Sequence, residues 1–401
     1  MKMATKWKTL KVADLGRVVT GKTPPTGRTE LLGDVYPFIT PTDIGDYRDC
    51  TPVRNLSEEG RASLRNLLLP AKTVCVTCIA SVGKMCMTSS PSFTNQQINS
   101  IIVDEEKHDP SFVYYLLKTR VEHLKAIAGG AATPIINKSS FSEVEVRVPE
   151  LPTQRKIADI LSAYDDLIEN NLRRIKILEE MAQSLYREWF VYLRFPGHES
   201  VSFIDSPLGQ IPKGWEVKAI SDFGKVVTGK TPSKANEDFF GEDIPFLKTP
   251  DMHGQMFILR TNEYLSTAGA QSQANKTLPV GSICVSCIGT IGVVSITTEP
   301  CQTNQQINSV VLADEASREF LFFWLREAKQ MLENLGSNGA TMGNVNKSKF
   351  ESMKLDCPSV DLLTRFHSLA EPMFQKIESL FRKIQNLRHT RDILLPHLLK
   401  N

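Results

Sequence analysis

The chain has 401 residues, 41% of them hydrophobic and 23% charged, with a formal net charge of +2. That length suggests two to four domains with real cores, and the balance is that of an ordinary soluble protein, neither demanding nor forbidding nucleic acid. No apolar run approaches a membrane span and Met1–Lys8 has no hydrophobic signal core, so no spanning helix is expected and the cytoplasm is the expected compartment.

In chain order, the first 150 residues hold short apolar runs punctuated by Gly, Pro, Asn and Asp, which predicts a mainly β domain with a few helices. Near its start, Gly16–Thr23 fits the phosphate-loop pattern G-x-x-x-x-G-K-[ST]. That motif holds phosphate only after a buried strand and at the opening of a helix, where backbone N–H groups converge. Here Val18 and Val19 suit the strand itself, while Pro24 and Pro25 remove N–H donors and oppose a helix. A strand leading into an exposed turn is the better expectation. Its Thr20, Lys22 and Thr23 offer one cation and two hydroxyls to a phosphate backbone.

Further along, Pro41-Thr42-Asp43 reads as turn chemistry or, through Thr42, as a base contact. Val74–Ile79 contains Cys75-x-x-Cys78, a spacing also found in zinc sites. On a strand, residues i and i+3 face opposite ways, so two separately buried thiols are expected rather than a shared metal. Asn95 and Gln96 carry amides able to read adenine bidentately; bonding to neighbouring backbone is the alternative. Phe112–Ile127 is a helix candidate with Val113, Leu116, Leu117 and Leu124 on one face. The small-residue loop Gly129–Thr133, ending in Thr133, suits close approach to a ligand backbone.

At Pro149–Pro152 the pattern changes. Thr153 is the expected N-cap, and no Gly or Pro follows until Pro196. Apolar residues then recur at alternating steps of four and three: Ile157, Leu161, Tyr164, Ile168, then Asn171, then Ile175, Leu178, Ala182, Leu185 and Trp189. This is a heptad seam with one polar interruption, and Asn171 reads as a register device. A helix of about 35 residues at ~1.5 Å each makes a rod of roughly 50 Å. The aromatic cluster Trp189, Phe190, Tyr192 and Phe195 follows, either capping a helix pair or meeting a partner.

After residue 208 the order begins again. Trp7 reappears as Trp215, Val18–Pro24 as Val226–Pro232, Cys75–Ile79 as Cys284–Ile288, and Thr94–Asn99 as Thr303–Asn308. The second set of candidate contacts is therefore Thr228, Lys230, Thr231, Asn304, Gln305 and Thr341. A second seam runs through Phe366, Ala370, Met373, Ile377, Leu380, Ile384, Leu387, Arg391, Leu394 and Leu398, with Pro372 and Pro396 predicting a kink or a late start. A period this long means duplicated domains, not a solenoid. The expected fold class is α+β: two mainly β domains, each followed by a long helix, the helices pairing as an antiparallel coiled coil about an internal pseudo-two-fold. The expected divisions are 1–150, 151–195, 196–358 and 359–401. An isolated first half would carry an unpaired seam and is expected to bury it against a second copy of itself.

Catalytic constellations are missing. The chain has no His-Glu-x-x-His, no G-x-S-x-G elbow, no Rossmann fingerprint and no Asn-Pro-Pro-aromatic run, and its seven histidines do not repeat between halves.

A β-rich domain opening with a Trp and a Gly-Lys-Thr-Pro turn, then Pro149-Glu-Leu-Pro152 and a long helix, then the whole order again, resembles the specificity subunit of type I restriction–modification systems. Glu188-Trp-Phe190, Arg194–Gly197, Ile211–Trp215 and Leu394–Leu399 are further family-like phrases, and the resemblance covers essentially the whole chain. It implies that residues 1–150 and 196–358 are target-recognition domains, each reading half of a bipartite site in double-stranded DNA. The two helices, 151–195 and 359–401, would space them and dock modification subunits. S-adenosylmethionine would belong to those subunits and ATP to separate restriction or motor subunits, leaving this chain non-catalytic and without a cofactor of its own. A rod near 50 Å is long enough to hold two modules one DNA turn, roughly 34–36 Å, apart. The shared motifs are either framework or a sign of related half-sites. A tandem phosphate-loop nucleotide binder and a DNA-free coiled-coil scaffold are the alternatives.

Overall fold

β-Branched and thiol side chains make Val74–Thr77 a strand with all four residues buried. It lies in the middle of a four-stranded antiparallel sheet, between Ile98–Val103 and Met85–Met87, with Gly16–Thr20 outside Ile98–Val103. The two-residue alternation sends its side chains into two different cores. Val18, Val74, Val76 and Ile101 pack with Phe112, Leu116, Leu117 and Leu124. Val19, Cys75, Cys86 and Ile98 pack with Ile39 from a second sheet. In that second sheet Tyr36–Ile39 runs parallel to Phe93–Thr94, so both strands deliver the chain to the same edge.

The computed structural model describes residues 7–25, 27–45, 47–50, 52–130, 133–337 and 343–399. The chain forms two units, Met1–Asn170 with Ile384–Asn401, and Asn171–Lys383. The second unit repeats the topology of the first. Ile283–Ser286 lies between Ile307–Leu312 and Val294–Thr297, Gly224–Thr228 flanks Ile307–Leu312, and Phe257–Ile258 adds a fifth strand. Ile244–Leu247 runs parallel to Gln302–Thr303, as its counterparts do.

Three helix expectations need correction. The stretch expected as one helix over 112–127 is two, Pro110–Lys118 and Val121–Ile127. The Thr119 hydroxyl donates to the Leu116 carbonyl and helps close the first of them. The first long helix is Leu151–Tyr186, beginning before the expected Thr153 cap because a proline at 152 needs no N–H in a first turn. It ends in a π turn over Arg187–Val191. The second long helix, Val360–Leu399, runs through Pro372 and Pro396 without interruption and starts well before Phe366.

The heptad seams are inside. In the first helix Ile157, Leu161, Ile168, Asn171, Ile175, Ala182 and Trp189 are buried, with Tyr164, Leu178 and Leu185 half-buried. In the second, Phe366, Ala370, Ile377, Leu380, Ile384 and Arg391 are buried, with Met373, Leu387, Leu394 and Leu398 half-buried. Within the first unit the start of one helix (Ile157, Ala158, Leu161) shares a core with the end of the other (Leu394, Leu395, Leu398). Within the second, the end of the first helix meets the start of the other, Tyr186 lying 6.4 Å from Phe366 between ring centroids. The pairing is antiparallel in each. Among the described residues, no helix is long and apolar enough to cross a membrane.

Candidate nucleic-acid interface

Hydrogen bonds between backbones gather four loops at one edge of the first unit. After strand Gly16–Thr20, the Lys22 N–H donates to the Thr94 carbonyl (2.9 Å) and the Gly21 N–H to that of Ile98 (3.2 Å), seating the Gly-Lys-Thr-Pro turn on the Asn95–Gln97 turn. The Cys78 N–H donates to the Gln97 carbonyl (2.7 Å), which adds the turn after strand Val74–Thr77. Ile136 and Ala80 then bond to Cys78 and Pro134, bringing in the loop that contains Thr133. The second unit makes the corresponding bonds: Lys230 to Thr303, Gly229 to Ile307, Cys287 to Gln306, Val345 to Cys287 and Gly289 to Gly343. An assembly repeated bond for bond is a built structural device.

These bonds overturn the nucleotide-loop alternative. A phosphate loop works through free N–H groups, yet those of Gly21, Lys22, Gly229 and Lys230 are spent on neighbouring carbonyls. Gly21 is required for a different reason. A Cβ there would lie 2.2 Å from the Thr94 carbonyl oxygen and 2.3 Å from that of Asn95, so only glycine permits this backbone contact. Gly229 is equally constrained by Asn304 and Thr303. The two thiols of Cys75-x-x-Cys78 enter different cores, Cys75 with Ile39 and Cys78 with Val76. Burial pushes the Cys78 thiol up to about 11 and that of Cys284 to about 12, where neither is a ready metal ligand or nucleophile.

The candidate contacts divide by what their polar atoms already do. Lys22, Lys230, Gln96, Gln305 and Thr133 are exposed. The Thr23 hydroxyl donates to Gln96 Oε1 (2.5 Å) and that of Thr231 to Gln305 Oε1 (2.7 Å), which leaves each Nε2 amide directed by a fixed partner. Thr20 and Thr228 are turned inward, each donating to a buried Asn, Asn99 and Asn308, at 2.6 Å. Asn95 and Asn304 are buried, and each amide closes its own turn: Oδ1 accepts the N–H of Gln97 or Gln306, and Nδ2 donates to the same residue's Oε1. Thr42 is exposed beside a turn that Asp43 closes by accepting from the Thr40 N–H and hydroxyl. Thr341 lies outside the described residues.

The electrostatics of the cluster are one-sided. Segments 20–25, 78–84, 94–98 and 129–136 contain Lys22 and Lys84 and no Asp or Glu; in the second unit 228–232, 287–292, 303–307 and 343–346 contain Lys230 and likewise no acid. Sequence reasoning missed Lys84 and the turn at Ala80, whose φ of +62° matches the left-handed Gly289 at the corresponding place. The signal was present in the repeated small-residue turns that follow each cysteine pair.

The sequence model described as "Type I restriction modification DNA specificity domain" matches residues 4–180 and again residues 212–362. The chain is 35% identical over 353 residues to the type I restriction enzyme HindI specificity subunit of Haemophilus influenzae, covering 72% of this chain and 76% of that one. It is 29% identical over 405 residues to the MjaIX specificity subunit of Methanocaldococcus jannaschii, covering 99% and 93%. Among solved structures, the S subunit of a type I restriction–modification system from M. genitalium aligns over 100% of this chain and 98% of its own, with a TM-score of 0.65 at 15% identity, a likeness of fold.

Proposed function

The chain belongs to the type I restriction–modification DNA specificity family, and from that premise we propose that it is the DNA-reading subunit of such a complex rather than its catalyst. The observation that carries the reading is the duplicated, acid-free loop cluster within a chain that the family model matches in both halves. Each unit would present one cluster to one half of a bipartite DNA site. Lys22 and Lys230, exposed on turns whose own N–H groups are occupied, would meet phosphates, as a point charge on a flexible stem does well. Gln96, Gln305 and Thr133 are the candidates to face base edges, because they are exposed residues. Asn95, Asn304, Thr20 and Thr228 would act one step back, holding those turns in shape.

The long helices would set the distance between the half-sites and carry modification subunits. Methyl transfer from S-adenosylmethionine would take place on those subunits, and ATP-driven steps on restriction or motor subunits. Residues 1–150 and 196–358 would be the recognition domains and 151–195 and 359–401 the spacer, within the cytoplasm.

Sequencing the methylome of a host with and without this chain tests the proposal. A bipartite methylated motif that appears only when the chain is present is expected. An unchanged methylome in a host that supplies competent modification subunits would rule the reading out.

A further inference from the structure

The two units join their recognition domains to the long helices with different chemistry at corresponding positions. In the first unit Asp165 is buried in the helix seam region. One carboxylate oxygen accepts from Arg391 Nη1 at 2.5 Å and the other from the Tyr115 hydroxyl at 2.5 Å. Burial opposes the charge on Arg391, but Asp165 and Asp392 outweigh it and keep the guanidinium firmly protonated. The repeat offset of 209 puts Phe374 at the position of Asp165, and Ala182 at that of Arg391. Phe374 is buried among Phe322 and Phe323, at 5.5 and 5.6 Å between ring centroids, and Ala182 is fully buried. A polar junction in one unit is an apolar one in the other.

Because both helices carry the same heptad phase, each is also competent to pair with a copy of itself. We propose that, in the full chain where both helices are present, the buried Asp165–Arg391 pair favours the pairing of first helix with second over first with first or second with second between two copies. In a first-with-first pair, Ala182 of the other copy would take the place of Arg391, leaving Asp165 with Tyr115 and no cation. In a second-with-second pair, Arg391 would meet Phe374, which offers a ring and no carboxylate. A first-with-first pair thus buries two carboxylates without a cation, one at each junction, and a second-with-second pair leaves each Arg391 with only its exposed chain neighbour Asp392, both costly in an apolar seam. The native pairing buries none. Asn171 supports the same selectivity only weakly, since it stands in the first helix alone, with Leu380 in its place in the repeat, and its buried Nδ2 has no hydrogen-bond partner. An exchange in which each chain's first helix takes the other's second retains the ion pair and is not opposed.

The test uses the full chain, unfolded and diluted back at high concentration so that pairing is chosen anew. Equal amounts of isotopically light and heavy chains are mixed before dilution, then treated with a lysine cross-linker. Lys176 is exposed on the first helix. A first-with-first pair brings Lys176 of one chain near Lys176 of the other, so a light–heavy Lys176–Lys176 link marks the wrong pairing. Wild type should give little of that link, whether as the single chain or with first and second helices exchanged. The variant Asp165→Leu with Arg391→Met removes both charges together, a change that buried pairs usually tolerate without loss of stability. It should fold and yield at least about tenfold more of the mixed link, since the selecting penalty is gone. If that variant does not fold, Asp165→Asn with Arg391→Gln removes the charges within similar volumes and is read the same way. A folded, charge-free variant with no more mixed link than wild type overturns the proposal, as does abundant mixed link in the wild type.

Discussion

Lys22 and Lys230 sit where a nucleotide loop would put its cation, yet their surroundings do not suit that role. Their N–H groups are bonded to Thr94 and Thr303, and their side chains are exposed in acid-free segments. Lys22→Ala or Lys230→Ala should leave folding intact and weaken DNA binding about equally for all sequences. Each should lower the slope of log affinity against log salt by about one, the signature of one phosphate contact. Filter or anisotropy titrations over a salt series measure this, and saturable ATP binding by the wild-type chain would contradict it. A second residue-scale expectation concerns Glu179 on the first long helix. Burial raises its carboxyl above the ordinary glutamate range, against the pull of Arg326. A group raised on folding contributes most below its unfolded pKa, and that contribution is lost as pH rises through the folded value. Glu179→Gln should therefore raise Tm at pH 7 and have no effect at about pH 4, below the ordinary glutamate value. A Tm that falls at pH 7 would mean that the pairing with Arg326 outweighs burial.

At the scale of elements, the aromatic run after the first long helix shows how a helix end is fixed. Phe190 lies 4.9 Å from both Phe320 and Phe366 and 6.1 Å from Trp215 between ring centroids, and Trp189 is buried 5.8 Å from Phe366. Phe195 packs on Trp215 at 5.7 Å. These rings cap the helix pair within the second unit; Tyr192 alone of the run is largely exposed, at 56%. Phe190→Ala should cost about 3 kcal/mol, at the lower end for deleting a large aromatic because Phe190 is half-buried. Denaturant melts measure it, and a loss below about 1 kcal/mol would show that the ring is dispensable to the cap. Replacing both Trp189 and Phe190 by Ser should abolish folding of this unit.

For the whole molecule, each long helix passes from one unit to the other, the first between Asn170 and Asn171 and the second between Lys383 and Ile384. Seven residues added at both places keep the heptad phase and leave each unit's own contacts untouched. They add ~10.5 Å at ~1.5 Å per residue, the length of about three base pairs at ~3.4 Å each. If the helices set the spacing, the methylated motif should keep both half-site sequences while the gap between them widens by about three base pairs. Methylation at the original gap would show that something other than the helices measures the distance.

Periodicity is a property of neighbouring residues, so the sequence by itself determined the duplication, the heptad seams and the alternation that sends Cys75 and Cys78 into separate cores. The chain order of strand, turn and long helix was legible for the same reason. What the sequence could not show was which distant segments meet. Thr23 bonds to Gln96 across 73 residues and Arg391 to Asp165 across 226, and no local pattern marks either partner. Arg391 occupied a seam position that the heptad labelled apolar, and only the packed helices add the buried carboxylate of Asp165 to that of its chain neighbour Asp392. Asn95 and Gln96 are adjacent, yet the fold turns one amide inward to close its turn and leaves the other exposed. That division depends on the Ile39 carbonyl receiving the Asn95 N–H from a parallel strand, a contact that exists only once the second sheet has formed.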